Sequence, residues 1–233
     1  MIHQLIFAAP KPGMSAEEFQ RYWVETHAVK YAAKINQIKK YMIDTRIAFD
    51  GDFGAPLPHQ GVAEIWLKNE EEQLASLQSP EFLEGARLDE PKWAAFWLTL
   101  VLDTTAHEIV AGPPLQKNPA WVKLLVLLKR KPGIPLGNFR EYALKVHAPL
   151  VAELPGLRRY IQCHTRDGYY AIGESRFDSV EQIWFDNLDA LKKALASPQF
   201  KEKVRAGLDN LVDPNQIFTM TVRENWIIGP KAR

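Results

Sequence analysis

Apolar residues come in short runs along the chain, separated by turn residues. Ile2 to Ala9 is aliphatic apart from His3 and Gln4, and Pro10-Lys11-Pro12-Gly13 ends it. Such a run bounded by Pro and Gly predicts a strand. Ser15-Ala16-Glu17-Glu18 has the form of a capping box, in which a serine and a glutamate satisfy each other's free backbone N–H groups. Phe19, Tyr22, Trp23, Thr26 and His27 then fall on one helical stripe, so a helix follows the turn. Further strands are predicted at about 38–47, 62–67 and 97–102. A second helical region opens at Asn69 and breaks before Pro80.

The same series occurs twice. Lys11-Pro12-Gly13 returns as Lys131-Pro132-Gly133, and over residues 11–28 seven of eighteen positions are identical at an offset of 120. Chance would give roughly one. Tyr41 is echoed by Tyr160, Ile65-Trp66 by Ile183-Trp184, and Ser79-Pro80 by Ser197-Pro198. Strands are therefore expected again at about 121–129, 157–166, 180–185 and 216–222, with Asn187 as the second helix cap. Residues 1–112 and 120–233 read as two copies of one module, with the proline-rich segment 113–119 as linker. The order β-α-β-β-α-β is the ferredoxin-like arrangement. Its helices cover one face of the sheet, and the other face needs a partner. The fold class expected is α+β, two tandem ferredoxin-like modules packed sheet to sheet as a pseudo-dimeric barrel.

Composition narrows the function classes. Lys plus Arg is 29 against 28 Asp plus Glu, a balance without the basic excess of a nucleic-acid binder. The one cysteine, Cys163, leaves no intrachain disulfide and no cysteine metal cluster. A reduced, cytoplasmic setting is expected. The amino terminus lacks the basic start and long apolar run of a signal peptide, and no stretch approaches the ~20 apolar residues of a membrane helix.

Lys-Pro-Gly, then Phe and Tyr, then His147-Ala-Pro-Leu-Val-Ala-Glu-Leu-Pro-Gly-Leu-Arg-Arg-Tyr160 closely resembles the EthD family of the dimeric α+β barrel superfamily. The second copy matches better. The first keeps Phe19, Tyr22 and His27-Ala28 but has Val29 for the proline and Ile35-Asn36-Gln37 for Leu-Pro-Gly. The resemblance implies the barrel fold and a small organic ligand. Members of the superfamily include cofactor-free monooxygenases, cyclases, decarboxylases, isomerases and haem enzymes.

Strand alternation sorts the candidates. With Ile161, Cys163, Ile183 and Phe185 toward the helices, Tyr160, Gln162, His164 and Trp184 face the interior of the second copy. The same sorting puts His3, Tyr41, Thr45, Glu64 and Trp66 inside the first. Each interior then has the aromatic lining and few polar groups of a small-molecule pocket. Glu64 is expected among aromatic rings without a cationic partner, where desolvation would raise its pKa and suit it to take a proton. His164, His27 and His147 are the other candidate acids or bases. His27 and His147 equally suit a structural anchor at the end of a helix. Trp93, Trp97 and Trp226 read as core, and His107-Glu108 as surface. Two functions stand: cofactor-free proton-transfer chemistry on a small apolar, aromatic or polyketide-like molecule, or non-catalytic binding of such a molecule for a partner oxygenase. No metal and no cofactor are expected; haem is the one cofactor the superfamily leaves open. No nucleic-acid or membrane partner is expected, and outer surfaces remain free for a homodimer.

Overall fold

In the computed structural model, which describes residues 1–117, 119–171 and 173–233, the alternating runs become eight strands. They are β1 (Ile2–Ala8), β2 (Ile38–Arg46), β3 (Gly61–Leu67), β4 (Leu100–Val110), β5 (Val122–Arg130), β6 (Leu157–Thr165), β7 (Ser179–Phe185) and β8 (Val212–Ile228). They close into one antiparallel barrel in the order β1-β3-β2-β8-β5-β7-β6-β4, with β4 returning to β1. Each half contributes four adjacent strands. Two seams join the halves, β2 on β8 and β4 on β6. The proline-rich segment 113–119 includes residue 118, which lies outside the described residues.

β4 and β8 run well past the ends expected from sequence. Their extra residues pair across the seams, Thr104–Val110 with Tyr160–Thr165 and Val222–Ile228 with Tyr41–Arg46. A strand edge left open would expose unpaired backbone groups, and closure removes it.

The helices lie outside the barrel, at 16–30, 70–78 and 81–89 in the first half and at 136–152, 188–196 and 199–211 in the second. The Ser15–Glu18 capping box forms, and Asn69 and Asn187 cap their helices through their side chains. Both long helices contain a π-turn, Trp23–His27 and Ala143–His147. Each of these two ends on the repeated histidine, and two more π-turns lie at Glu81–Ala86 and Gln199–Val204, so the wide turn belongs to the fold of both halves. Among the described residues, no helix is long and apolar enough to cross a membrane.

Three apolar cores result. One lies between helices and sheet in each half, with Phe19, Trp23, Ile43 and Ile65 in the first and Phe139, Leu208, Val126 and Ile183 in the second. The third fills the barrel with Leu5, Phe7, Leu125, Leu127, Met220 and Val222.

Because both faces of the sheet are buried, the sorting from sequence fails on two strands. His3, Glu64, Trp66, Gln182 and Trp184 lie on the barrel side as expected. On β2 and β6 the faces are reversed. Tyr41 and Tyr160 pack with the helices, and Cys163 and Ile161 belong to the barrel core. Gln162 and His164 follow Tyr160 outward, and Thr45 follows Tyr41. The anchoring assumption was that apolar residues seek the helices; in a closed barrel the interior is equally apolar, so polarity does not distinguish the faces. Trp97, read as core, is 71% exposed.

Candidate functional site

The centre of the barrel holds a buried charge cluster. The Lys123 ammonium, fully buried on β5, lies 2.7 Å from Asp44 Oδ2, 2.6 Å from Glu64 Oε1 and 3.2 Å from Glu224 Oε1. His3 Nε2 lies 2.6 Å from the other Glu64 oxygen, and its ring stacks on Trp66 with centroids 4.4 Å apart. Trp184 and Trp121 donate their indole N–H groups to Glu224. Burial works against the ionised form of Glu64, but Lys123 and His3 outweigh it and hold its carboxyl well below the usual range. Burial pushes Asp44 well above its usual value, against the pull of Lys123. This overturns the expectation for Glu64. It faces the interior, but with two cationic or hydrogen-bonding partners it is a poor proton acceptor. Sequence alternation did not single out Lys123, because a lysine in an aliphatic strand reads as the polar face.

The first half holds a different site. Between its sheet and helices is a cavity of about 120 Å³, with Ile6, Ala8, Trp23, Tyr41, Ala63 and Trp93 among its lining residues. His27 also lines it. His27 Nδ1 lies 3.0 Å from Asp89 Oδ2, and Asp89 is itself held by Tyr22 at 2.9 Å and Lys92 at 3.0 Å. Burial favours a neutral Asp89, yet hydrogen bonds from His27, Lys92 and Tyr22 hold its carboxyl below the usual range. An ionised carboxylate at Nδ1 requires the proton there and leaves Nε2 with its lone pair. Nε2 has no hydrogen-bond partner among the described residues. Burial lowers the pKa of His27 below its ordinary value, and Asp89 partly offsets this. The phenol of Tyr41 is raised by burial and stays neutral, so it can donate its proton in a hydrogen bond. The cavity thus offers an imidazole base and a phenol donor, with Gln4, Ser76, Glu90 and Thr99 as further polar residues in an otherwise apolar lining.

The second half has closed the same space. Its positions equivalent to Ala8, Ile43 and Ala63 are Leu128, Gln162 and Glu181. Glu181 Oε1 accepts a 2.8 Å bond from Tyr160, and Gln162 bonds both Tyr160 and the Ala143 carbonyl. His147 Nε2 lies 3.1 Å from Glu181 Oε1 without hydrogen-bond geometry, and neither ring nitrogen has a hydrogen-bond partner among the described residues. The position equivalent to Asp89 is Gly207, where a Cβ would stand 3.8 Å from His147 Nδ1. The two histidines therefore meet their carboxylates from opposite sides. His147, Tyr160 and Gln162 come together in a filled core, without Trp184 and without a pocket.

His164 bonds Gln162 at 3.0 Å and lies against His107, ring centroids 4.8 Å apart. Both line an open crevice at the β4–β6 seam, so His107 is not plain surface. Burial pushes the pKa of His164 down to about 3, so it is a weak base. Asp89 and Glu181 escaped the sequence reading. The signal available was the broken repeat itself: Asp against Gly and Ala against Glu at positions flanking a repeated histidine. Among the described residues, no group of three or more His, Cys, Asp or Glu is placed to hold a metal ion.

The pattern of the EthD domain matches residues 11–96 and 131–215. The chain is 25% identical over 131 residues to a decarboxylase of Cryptosporiopsis sp., covering 51% of this chain and 85% of the relative. It is 30% identical over 127 residues to a conidial pigment biosynthesis dehydratase of Metarhizium robertsii, covering 46% of this chain and 89% of the relative. Among solved structures, an anthrone oxidase-like protein superposes with a TM-score of 0.66 at 13% identity, over 97% of this chain and 92% of its own. At that identity the likeness is one of fold, a mixed α+β barrel of the dimeric α+β type.

Proposed function

The chain belongs to the EthD family, and from that premise we propose that its first half converts a small apolar, aromatic or polyketide-like molecule by proton transfer, without a cofactor. The observation that carries this reading is His27, held at Nδ1 by Asp89 with Nε2 free beside an apolar cavity. A carboxylate that fixes one imidazole nitrogen makes the other a competent base and stabilises the imidazolium that forms. Tyr41 is assigned to orienting the substrate, giving a hydrogen bond to the oxygen of an enolate.

The relatives' names support a carbanion-type step. Dehydration of a β-hydroxy ketone begins with loss of the α-proton to a base; the enolate then expels hydroxide, which leaves as water with the proton returned. Decarboxylation runs the other way: carbon dioxide leaves and the imidazolium protonates the carbon. One histidine serves either reaction. His147, Tyr160 and Gln162 are assigned to the closed network of the second half, and His3, Glu64, Trp66 and Trp184 to the barrel core. We further infer that residues 1–112 and 120–233 are tandem ferredoxin-like modules joined by 113–119. The internal repeat and the matching strand orders support this.

The test is incubation with a panel of β-hydroxy ketones and hydroxyaromatic carboxylic acids, with mass spectrometry reading loss of water or carbon dioxide. At least one member should be consumed. Ala63→Leu, which places a side chain in the cavity, should slow that conversion tenfold or more at a stability cost of about 1–3 kcal/mol. A panel left untouched, or a plugged variant as fast as the wild type, would overturn the proposal.

A further inference from the structure

The cavity beside His27 opens onto an apolar rim. Leu77 and Phe96 line the cavity, yet they are 48% and 47% exposed. Arg87 sits over the Phe96 ring at 3.9 Å and fixes it there by a cation–π contact. Phe96 begins a run, Phe96-Trp97-Leu98, in which every side chain is exposed. Leu74, one turn before Leu77 on the same helix, is exposed as well. Three consecutive exposed large apolar residues are rarely tolerated on a surface without a function for them.

The repeat provides an internal control. At the offset of 118 that aligns Phe82 with Phe200, the positions of Leu74, Leu83, Trp97 and Leu98 hold Lys192, Lys201, Asn215 and Gln216. Phe96 aligns with Pro214. At Leu74 and Leu83 both halves are helical, so the fold does not require apolar side chains there; Phe96–Leu98 instead form a helical turn of their own where Pro214–Gln216 belong to β8. The half whose helix–sheet space is filled has a polar rim, and the half with the open cavity has an apolar one. Leu77 is matched by Leu195, so the apolar additions peculiar to the half with the cavity are Leu74, Leu83 and the Phe96–Leu98 turn.

Resting on the reading of the cavity as the ligand site, we infer that the ligand is an elongated aromatic molecule: its ring enters beside His27, and an uncharged hydrocarbon extension lies outward over Leu77 and Phe96. The volume sets the division. An apolar cavity of ~150 Å³ holds one benzene, so a space of about 120 Å³ takes a single ring, and the rest of a larger molecule emerges at the rim. The charges set the character of the extension. Glu70, Glu71, Glu72, Glu81 and Glu84 stand on the two helices of this face, which disfavours an anionic tail and an anionic membrane alike.

The experiment titrates the full chain with phenol and its 4-n-alkyl homologues up to 4-pentylphenol, reading Kd by calorimetry. In the wild type Kd should fall about two- to fourfold per added methylene, the upper figure being ~0.8 kcal/mol per buried CH₂. In Leu77→Gln/Phe96→Ser the series should flatten, the readout being the change in Kd per added methylene and not the Kd of phenol itself. Trp97→Asn/Leu98→Gln, at positions 71% and 41% exposed, should also weaken the slope. A flat wild-type series with phenol bound would overturn the rim and leave the cavity standing. So would an unchanged slope in both variants. A wild type that binds no member would overturn cavity and rim together. His27→Gln should keep the slope whether or not it retains turnover, so the chemistry and the rim fail separately.

Discussion

Replacing His27 by glutamine should lower turnover of the converted substrate by ~10²–10⁴-fold, the usual contribution of one general acid–base group. Glutamine keeps the size and a hydrogen-bond donor for Asp89 but cannot carry the proton. The fold should persist, because the neighbouring Phe19, Trp23 and Trp93 rings are untouched. Asp89→Asn should act through the same histidine. An amide at Nδ1 no longer enforces the tautomer with a bare Nε2, so the rate should fall even though His27 remains. The pH profile separates this from a structural effect. In the dehydration His27 works as a base only when neutral, and burial lowers its pKa. The acid limb of kcat/KM should therefore lie below the ordinary imidazole value of about 6.5. Asp89 raises the His27 pKa, so its removal should move that limb further toward acid while the plateau drops. A limb that stays put in Asp89→Asn, or an undiminished rate in His27→Gln, would remove His27 from the mechanism.

Lys123→Met should destabilise the protein by about 3–5 kcal/mol, the cost of leaving buried charge uncompensated. In the wild type one ammonium neutralises a site that gathers Asp44, Glu64 and Glu224. Without it, Glu64 loses the largest influence that keeps its carboxyl ionised and must either take up a proton or stay charged in an apolar barrel. Urea denaturation at neutral pH reads the loss as a shift in midpoint with an unchanged slope. Adding Glu64→Gln to Lys123→Met should restore part of the stability, since the second change removes the stranded charge. A single variant within 1 kcal/mol of wild type would show that the cluster contributes nothing to folding. The same experiment bears on function. Glu64 and His3 belong to this cluster, so loss of turnover in the Lys123 variant should track loss of fold and not precede it.

The two halves therefore carry different loads on one backbone plan. Where the first half has Ala63 and Asp89, the second has Glu181 and Gly207. One exchange fills a cavity, and the other moves the histidine's carboxylate from the helix to the strand. Fold-determining positions survive in both copies: Phe19 and Phe139 at the helix core, Asn69 and Asn187 at the caps, Ser79 and Ser197 before the helix break.

Sequence alone determined the order of the strands, the helix caps and the family. These rest on local chemistry: a capping serine, an asparagine cap, a Pro-Gly turn and strand-length aliphatic runs act within a few residues and need no tertiary partner. Alternation also placed His3, Glu64 and Trp184 on the barrel side correctly. Only the tertiary structure decided which way β2 and β6 face, because both surfaces of a closed, helix-covered sheet are apolar and the period of two carries no sign. It alone decided the length of β4 and β8, whose ends pair across seams with residues far away in the chain, such as Thr104 with Thr165 and Arg46 with Val222. It also decided the chemistry of the histidines. His27 and His147 are the same residue in the same repeat. What makes one a base beside a cavity and the other part of a sealed network is a carboxylate brought from elsewhere in the chain, Asp89 across 62 positions in the first case and Glu181 from β7 in the second.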